Sequence, residues 1–337
     1  MREMDLASEL LIALQAVHEA AVVCRQVQAD LVTAATLEKK DRSPVTVADF
    51  ASQAVVCALL AERSAVPVIV AEESADQLRA SAAAEQRERV LGLLRQARGA
   101  GVTLEQVYGW IDLGGAPGAE RAPRYWTLDP IDGTKGFLRA GQYAIALALI
   151  ERGQVVLGAL GCPNLPAPDR SDGVILSAIR GRGAAQQALQ SRRSVCLPVR
   201  VSHLDNPSRA RFCESFESGH SDQQWSAEVA SRLGITLAPV RVDSQAKYAL
   251  LARGDASIYL RLPTRKHYQE KIWDHAAGML VVQEAGGTVT DVDGKPLDFS
   301  TGRRLARNRG VVATGGTIHQ AVLAAVGAAL ADSYAQS

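Results

Sequence analysis

The chain has 337 residues, of which 47% are hydrophobic and 22% are charged, a composition typical of a globular enzyme and unlike that of a disordered protein. Lys and Arg number 37 and Asp and Glu 36, so the formal net charge is +1; this balance excludes the broad positive field that binding to long nucleic acid requires. The length allows one large domain or two closely packed ones.

The cysteines and the N-terminus indicate the compartment. The cysteines are widely spaced and form no C-x-x-C pair, so we expect buried free thiols. The opening residues, MREMDLASELL, lack the basic-then-apolar order of a secretory signal. No apolar run approaches the ~18 residues of a membrane span. We therefore expect a cytoplasmic protein without a membrane partner.

Hydrophobic periodicity predicts the elements of the first half of the chain. In chain order these are helices over 6–31 and 45–62, a buried strand over 67–71, a helix over 80–98, a loop over 101–124, a strand over 125–128, and a hairpin with strands over 143–150 and 154–160.

The second half alternates strands and helices. We predict strands over 173–178 and 194–201, a helix over 225–233, a strand over 239–242, a helix over 246–252, a strand over 256–262, and a helix over 273–285 that ends at Gly286 and Gly287. This alternation predicts an α/β layered fold. The polar stretch after 178 marks the passage between two domains, which we place at 1–190 and 191–337.

The segment LDPIDGTKGF places Asp129 and Asp132 three residues apart, around a proline. Proline fixes φ, so we expect a turn in which both carboxylates and the Ile131 carbonyl converge. Oxygen ligands without His or Cys are typical of Mg²⁺. The next residues, Gly-Thr-Lys-Gly over 133–136, offer N–H groups and a hydroxyl that suit an anion if a helical turn begins there.

Further acids occur at element ends, where sites are commonly built. Glu72 and Glu73 follow a strand, Asp49 lies in a helix and Asp274 lies at a helix start. Taken alone, each acid has a structural explanation: a solvated Asp-Pro turn, a surface pair, an exposed helix residue, or a charge interacting with a helix dipole. Taken together, they favour a metal site for phosphoryl chemistry.

Three segments in order carry a family resemblance. WTLDPIDGT over 126–134 and WDHAAG over 273–278 resemble the paired signatures of the lithium-sensitive, magnesium-dependent phosphomonoesterases, which include inositol monophosphatases, fructose bisphosphatases and bisphosphate nucleotidases. The glutamate pair after a strand is similar to a third element of that superfamily. The resemblance implies the superfamily's fold, a sandwich of alternating helix and sheet layers.

Within this superfamily the chain is most similar to the 3′(2′),5′-bisphosphate nucleotidases, over nearly its whole length. Four segments carry that similarity: SPVTVAD over 43–49, DGTKGFLR over 132–139, DSQAKY over 243–248 and YQEKIWDH over 268–275. Inositol monophosphatases usually have another residue at the position of Lys135 and lack the Ser-Gln-Ala-Lys segment. These differences favour the nucleotidases.

The resemblance also implies roles for individual residues. The ligands of two or three Mg²⁺ ions would be Glu72, Asp129, Asp132, Asp274 and the Ile131 carbonyl. Asp49 and Thr134 would position and activate the attacking water. The residues implied to bind the substrate are Gly133, Thr134, His220, Ser244, Lys247, Arg261 and Asp274. His220 has the alternative of being an exposed loop histidine, and Lys135 and Lys271 are either nearby positive charges or solvated lysines.

These roles imply that the N-terminal domain carries the metal site and that the C-terminal domain completes it and binds the nucleotide. The expected reaction removes the 3′-phosphate of adenosine 3′,5′-bisphosphate, and of its sulfated relative, as a step of sulfur metabolism. The alternatives are an inositol polyphosphate 1-phosphatase, an inositol monophosphatase-type sugar phosphatase, or a non-catalytic nucleotide-binding regulator. The expected partner is a small nucleotide, with no nucleic acid polymer, and the chain is expected to be a monomer or a homodimer.

Overall fold

The computed structural model of the chain describes residues 6–31, 43–169, 171, 173–189, 195–216, 223–263 and 268–336. A first sheet has the strand order β1-β2-β3-β4-β5-β6-β7, in which only β1 and β2 are parallel. Its strands are β1 Ile69–Ala71, β2 Arg124–Asp132, β3 Ala144–Glu151, β4 Gln154–Cys162, β5 Val174–Ile179, β6 Ala184–Ala188 and β7 Leu197–Pro198.

A second sheet lies in the C-terminal part and has the order β11-β12-β10-β8-β9. Its strands are β8 Phe212–Glu214, β9 Val240–Arg241, β10 Ile258–Arg261, β11 Thr288–Thr290 and β12 Val311–Thr314. The helices are α1 Leu6–Leu31, α2 Ser43–Arg63, α3 Asp76–Arg79, α4 Ala84–Arg98, α5 Leu104–Asp112, α6 Thr134–Leu138, α7 Gln223–Arg232, α8 Ala246–Ala252, α9 Ala276–Glu284 and α10 His319–Gln336.

Helices and sheets alternate as layers. Helices α1 and α2 cover one face of the first sheet, α8 and α9 pack between the two sheets, and α7 and α10 cover the outer face of the second sheet. Three buried apolar clusters fill the spaces between these layers. The predicted α/β layered fold is therefore confirmed, while the domain boundary at residue 190 stays a prediction.

One expectation about the first half, the loop over 101–124, is wrong. The segment 101–124 is not all loop, because α5 forms inside it. Thr103 and Gln106 make a capping box at its N-terminus, which satisfies backbone N–H groups that would otherwise be unpaired. The following Leu113–Gly115 turn packs against β1, and Gly114 is buried there. A Cβ at Gly114 would lie 2.4 Å from the Cβ of Ala71, so glycine allows this close approach.

Helix α1 also departs from an expectation, because Leu6–Asp30 is long and apolar enough to cross a membrane by length and composition. One face of the helix is nevertheless buried against α2 and against strands of the first sheet, through Ala13, Ala16, Val17, Ala20, Ala21, Val23 and Val27. Amphipathic packing of this kind is typical of a core helix. The length and apolarity of α1 are thus explained by its place in the outer helix layer.

Candidate active site

The parallel pairing of β1 and β2 brings the first acids together. Ala71 pairs with Leu128, so Glu72 and Asp129 follow side by side at the carboxyl ends of the two strands. Asp129 is only 2% exposed, and its Oδ1 accepts a hydrogen bond of 3.1 Å from the Ile131 N–H. The short strand β1 thus places Glu72 next to Asp129 of β2.

The turn predicted over 129–132 is wrong, because these residues belong to a strand that contains a bulge. Strand β2 continues to Asp132, and its register with β3 shifts between Asp129 and Asp132. Pro130 has no N–H to offer, and a bulge is a place where a strand tolerates proline. The Ser52 hydroxyl donates to the Pro130 carbonyl at 2.9 Å. The bulge still brings both carboxylates and the Ile131 carbonyl to one cavity, as the turn was expected to do.

The anion cradle predicted after Asp132 has the expected helical turn. Gly133 has φ of 91° and precedes helix α6, a conformation that favours glycine. A Cβ at Gly133 would lie 2.7 Å from the Cβ of Ser244. Ser244 itself has φ of 68°. The close contact joins the first half of the chain to the Asp-Ser-Gln-Ala-Lys segment of the second half.

A cavity of about 380 Å³ opens at this junction. Its wall contains all but two of the residues predicted for the site: Glu72, Asp129, Ile131, Asp132, Gly133, Thr134, Ser244, Lys247, Arg261 and Asp274. Asp49 is not on the wall but is close enough to Glu72 and Glu73 to interact with their charges. His220 lies outside the described residues. The structure therefore brings together residues that stand more than 200 positions apart in sequence.

Carboxylates form part of the cavity wall. Burial, then Glu72, then Asp132 raise the pKa of Asp129 well above its ordinary value. Desolvation by the surrounding protein, followed by Glu73 and Asp132, raises the pKa of Glu72 to about 7, although this residue lies exposed at the rim. Such a set of close like charges is costly unless protons or cations neutralise it. Hard oxygen donors of this kind fit Mg²⁺.

Cationic groups line the same cavity. Lys247 is buried, and its Nζ donates to the Ser215 hydroxyl at 3.0 Å. Burial lowers the pKa of Lys247, and the charge of Asp132 partly opposes that shift. Lys135 is exposed on the wall. One cavity thus presents carboxylates to a cation and ammonium groups to an anion.

Arg261 is already engaged by acids. Its Nε lies 2.8 Å from Glu270 Oε2, and its Nη2 lies 3.2 Å from Asp274 Oδ2. Burial, partly opposed by the Arg261 and His275 charges, raises the pKa of Asp274 to about 7. Arg261 is therefore held at the cavity wall by the same Asp274 that is predicted to ligate a metal.

A buried chain of hydrogen bonds supports Arg261 from behind. Burial opposes ionisation of Glu270, but its hydrogen bond with His275 and the charge of Arg261 together lower its pKa. His275 is fully buried, with Nε2 3.2 Å from Glu270 and Nδ1 2.8 Å from the Tyr248 hydroxyl. Since an ionised carboxylate can only accept, His275 Nε2 donates to Glu270, and the Tyr248 hydroxyl is the hydrogen-bond partner of Nδ1.

The Glu270, Asp274 and His275 side chains also offer ligand atoms within 4.8 Å of one another. Arg261 contacts both carboxylates of this group, so the negative charge of the group is already compensated. The Asp129 side has no comparable guanidinium among the described residues. The relay proposed between Asp49 and Thr134 stays a prediction, because their side chains form no mutual hydrogen bond in the described part of the chain.

Sequence reasoning missed two residues that join the halves of the site. The Gln245 N–H donates to Asp132 Oδ2 at 2.6 Å, and the Gln245 side chain reaches the Trp273 carbonyl at 2.9 Å. Arg303 donates to the Ala71 carbonyl at 2.5 Å. Gln245 falls inside the DSQAKY segment over 243–248, so the sequence could have identified it. Arg303 falls in no motif.

Comparison with known proteins gives a consistent family. The model of the inositol monophosphatase family matches residues 5–331. The 3′(2′),5′-bisphosphate nucleotidase of Schizosaccharomyces pombe is 45% identical over 341 residues, covering 96% of both chains. The nucleotidase of the same name from Oryza sativa is 44% identical over 339 residues, covering 95% of this chain and 94% of its own.

Solved structures agree on the fold. SuhB from Mycobacterium tuberculosis has a TM-score of 0.62 at 21% identity and covers 97% of this chain and 98% of its own. CysQ from Bacteroides thetaiotaomicron, described as a bacterial member of the inositol monophosphatase family, has a TM-score of 0.62 at 20% identity and covers 92% and 98%. At this identity the likeness establishes the layered fold alone.

Proposed function

The chain belongs to the inositol monophosphatase family, and we propose that it hydrolyses the 3′-phosphate of adenosine 3′,5′-bisphosphate to give AMP and phosphate. One observation carries the proposal: acids from both halves of the chain meet in one cavity with Lys247 and Arg261 on its wall. Relatives at 44–45% identity that are named bisphosphate nucleotidases support this substrate over an inositol phosphate. The complete acid set argues against a non-catalytic regulator.

We propose Mg²⁺, in two or three ions, as the metal. Glu72, Asp129, Asp132, Asp274 and the Ile131 carbonyl would hold it, because these hard oxygen donors surround one cavity and raise one another's pKa values. When bound, Mg²⁺ would lower the pKa of a coordinated water and polarise the phosphoryl group. These carboxylates also keep the site negative, so a phosphate enters more readily once cations are bound.

The chain's own groups would then bind and orient the substrate. Residues 133–136 line the cavity at the start of α6, where backbone N–H groups and the Thr134 hydroxyl can donate to phosphate oxygens. Asp49 would accept a proton from the attacking water, since burial and its acidic neighbours raise its pKa. Lys247 and Arg261 would bind the second phosphate, while Ser244 and His220 would contact the nucleoside.

Phosphate release tests this proposal. The substrates are adenosine 3′,5′-bisphosphate, 3′-phosphoadenylyl sulfate, 5′-AMP, inositol 1-phosphate and inositol 1,4-bisphosphate, each with Mg²⁺ and with chelator. We expect the two 3′-phosphorylated nucleotides to be turned over fastest, with 5′-AMP inert and chelator abolishing turnover. Faster release from an inositol phosphate would overturn the nucleotide assignment, and full activity in chelator would overturn the metal.

We also propose a lithium-sensitive, cytoplasmic enzyme that removes a nucleotide by-product of sulfate activation. The free cysteines support a reducing compartment, because Cys24, Cys57, Cys162 and Cys213 are buried thiols and only Cys196 is exposed. Lithium at millimolar concentration should inhibit phosphate release, and potassium at the same concentration serves as the control. Equal activity in both salts would contradict lithium sensitivity.

A further inference from the structure

Arg303 joins two segments that end in predicted metal ligands. Its Nη2 donates to the Ala71 carbonyl at 2.5 Å, and Nη1 donates to the Gly114 carbonyl at 3.4 Å. Its guanidinium carbon lies 5.0 Å from the centre of the Trp273 ring. Ala71 immediately precedes Glu72, and Trp273 immediately precedes Asp274. A single guanidinium therefore contacts the backbone beside one acid and the ring beside another.

Gln245 makes a second connection to Trp273, through the backbone carbonyl. Its side-chain Nε2 donates to the Trp273 carbonyl at 2.9 Å, and its Oε1 accepts from the Gly278 N–H at 3.3 Å. Its backbone N–H donates to Asp132 at 2.6 Å. Gln245 is 2% exposed, so these hydrogen bonds form away from solvent. It thus connects Asp132 to the segment that carries Asp274.

Such connections matter because the segments that carry Glu72 and Asp274 are held by little regular secondary structure. Strand β1 contains only Ile69–Ala71 and pairs only with β2 in the described sheet. Asp274 lies in the non-helical segment just before α9. Carboxylates of like charge tend to move apart when no cation is present. Groups outside the ligand set that fix ligand positions typically change metal affinity or activity 10–100-fold when mutated.

We propose that Arg303 and Gln245 are positioning residues that contact Trp273 at its ring and at its carbonyl and thereby hold Asp274 at a fixed separation from Glu72 and Asp132. This inference rests on the proposed metal site. Arg303 acts through stacking and two carbonyl contacts, whereas Gln245 acts through its side-chain amide. Neither side chain is needed as a ligand in this arrangement.

Arg303→Met provides the decisive test because charge and position predict opposite results. Removing a positive charge beside an acid cluster would by itself tighten Mg²⁺ binding. Loss of positioning should instead weaken it about 10–100-fold. We would titrate each protein with Mg²⁺ alone by calorimetry, without nucleotide, and measure its thermal unfolding in chelator.

The controls separate a positioning role from general stability. Arg304→Met removes an equal charge from an exposed neighbour and should leave Mg²⁺ affinity within about twofold. Arg303→Lys keeps the charge but loses the fork that reaches two carbonyls, so its affinity should lie between those of wild type and Arg303→Met. If Arg303→Met does not fold, Arg303→Lys decides, and unchanged Mg²⁺ affinity in that variant overturns the proposal.

Variants of Gln245 test whether both residues act through Trp273. Gln245→Met is uncharged and similar in size, and it should also weaken Mg²⁺ binding. Combined with Arg303→Met or Arg303→Lys, its effect should be less than the product of the single effects, because both residues act on one tryptophan. Unchanged or tighter Mg²⁺ binding in every folded variant would overturn the inference. A wild type that fails to bind Mg²⁺ would instead overturn the proposed function.

Discussion

Two groups of acids lie on or behind the wall of one cavity, and the fold compensates their charges differently. Glu270 and Asp274 contact Arg261, and a buried histidine supports Glu270 from behind. Asp129 is also buried but is surrounded by Glu72 and other carboxylates that raise its pKa. The first group carries its compensating charge within the chain, whereas the second depends on protons or on an added cation.

Charge compensation distinguishes acids that support the fold from acids suited to holding a metal. A buried carboxylate with a guanidinium partner stabilises the fold only modestly but is costly to leave unpaired. A buried carboxylate among like charges has no structural purpose that an amide would not serve better. We therefore propose that the Asp129 group holds the metal and that the Glu270 group supports Arg261, with Asp274 belonging to both.

Asp129→Asn should have the largest effect on activity. It removes a predicted ligand and its charge, which are worth several kcal/mol in such sites, so phosphate release should fall about a thousandfold. The same change should raise the Tm of the metal-free protein, because a buried carboxylate among acids is lost. Asp205→Asn, at an exposed acid outside the cavity, serves as control. Near-normal turnover in Asp129→Asn would contradict the proposal that the Asp129 group holds the metal.

Arg261→Met should have the largest effect on stability. It leaves the Glu270 and Asp274 carboxylates without their cation, and breaking a buried pair costs about 3–5 kcal/mol. We expect Tm to fall by at least about 5 °C. Arg307→Met, which breaks an exposed pair with Asp298, should change Tm far less. Equal losses in the two variants would remove the distinction between the groups.

The pH dependence of the metal-free protein should reveal the protonation of Asp274, the acid that belongs to both groups. The pKa of Asp274 is raised from 3.8 to about 7, so the folded state binds more protons than the unfolded state between those values. Stability in chelator should therefore fall as the pH rises from about 4 to 7 and should be lowest above 7.

Unfolding temperatures at pH 5.5 and pH 8 measure this effect, with and without Mg²⁺. We expect Mg²⁺ to reduce the difference by a few degrees, since a bound cation replaces the proton. Asp274→Asn in chelator provides the control, because it lacks this titration. A pH response that is unchanged in that variant would assign the effect to other groups.

Glu270→Gln should have the smallest effect. The amide oxygen can still accept from Arg261 and His275, so only the charge is lost, and turnover should change by no more than about threefold. Mg²⁺ affinity should change little in the same calorimetric titration. A loss of affinity comparable to that of Asp129→Asn would place the cation at the Glu270, Asp274 and His275 group and would reverse the comparison.

Local pattern was sufficient for much of the fold. The helical periodicity of α1 and the hairpin of β3 and β4 follow from residues that are neighbours in sequence, and the structure has them within a few residues of the predicted bounds. The capping box of α5 was also visible as Thr103 and Gln106, although glycines and prolines nearby favoured a loop. Errors arose where a local signal competed with pairing, as at Pro130, which β2 accommodates in a bulge.

The sequence by itself determined which residue types the candidate site contains and their order, because the paired motifs carry the acids and the Gly-Thr-Lys-Gly segment that follows them. Only the tertiary structure decided which acids are compensated. Charge compensation depends on distance in space, and Arg261, Gln245 and Arg303 reach Asp274, Asp132 and Ala71 only after two sheets and the helices between them have packed. Arg303 stands 232 positions from the carbonyl it contacts, a separation that no local pattern records.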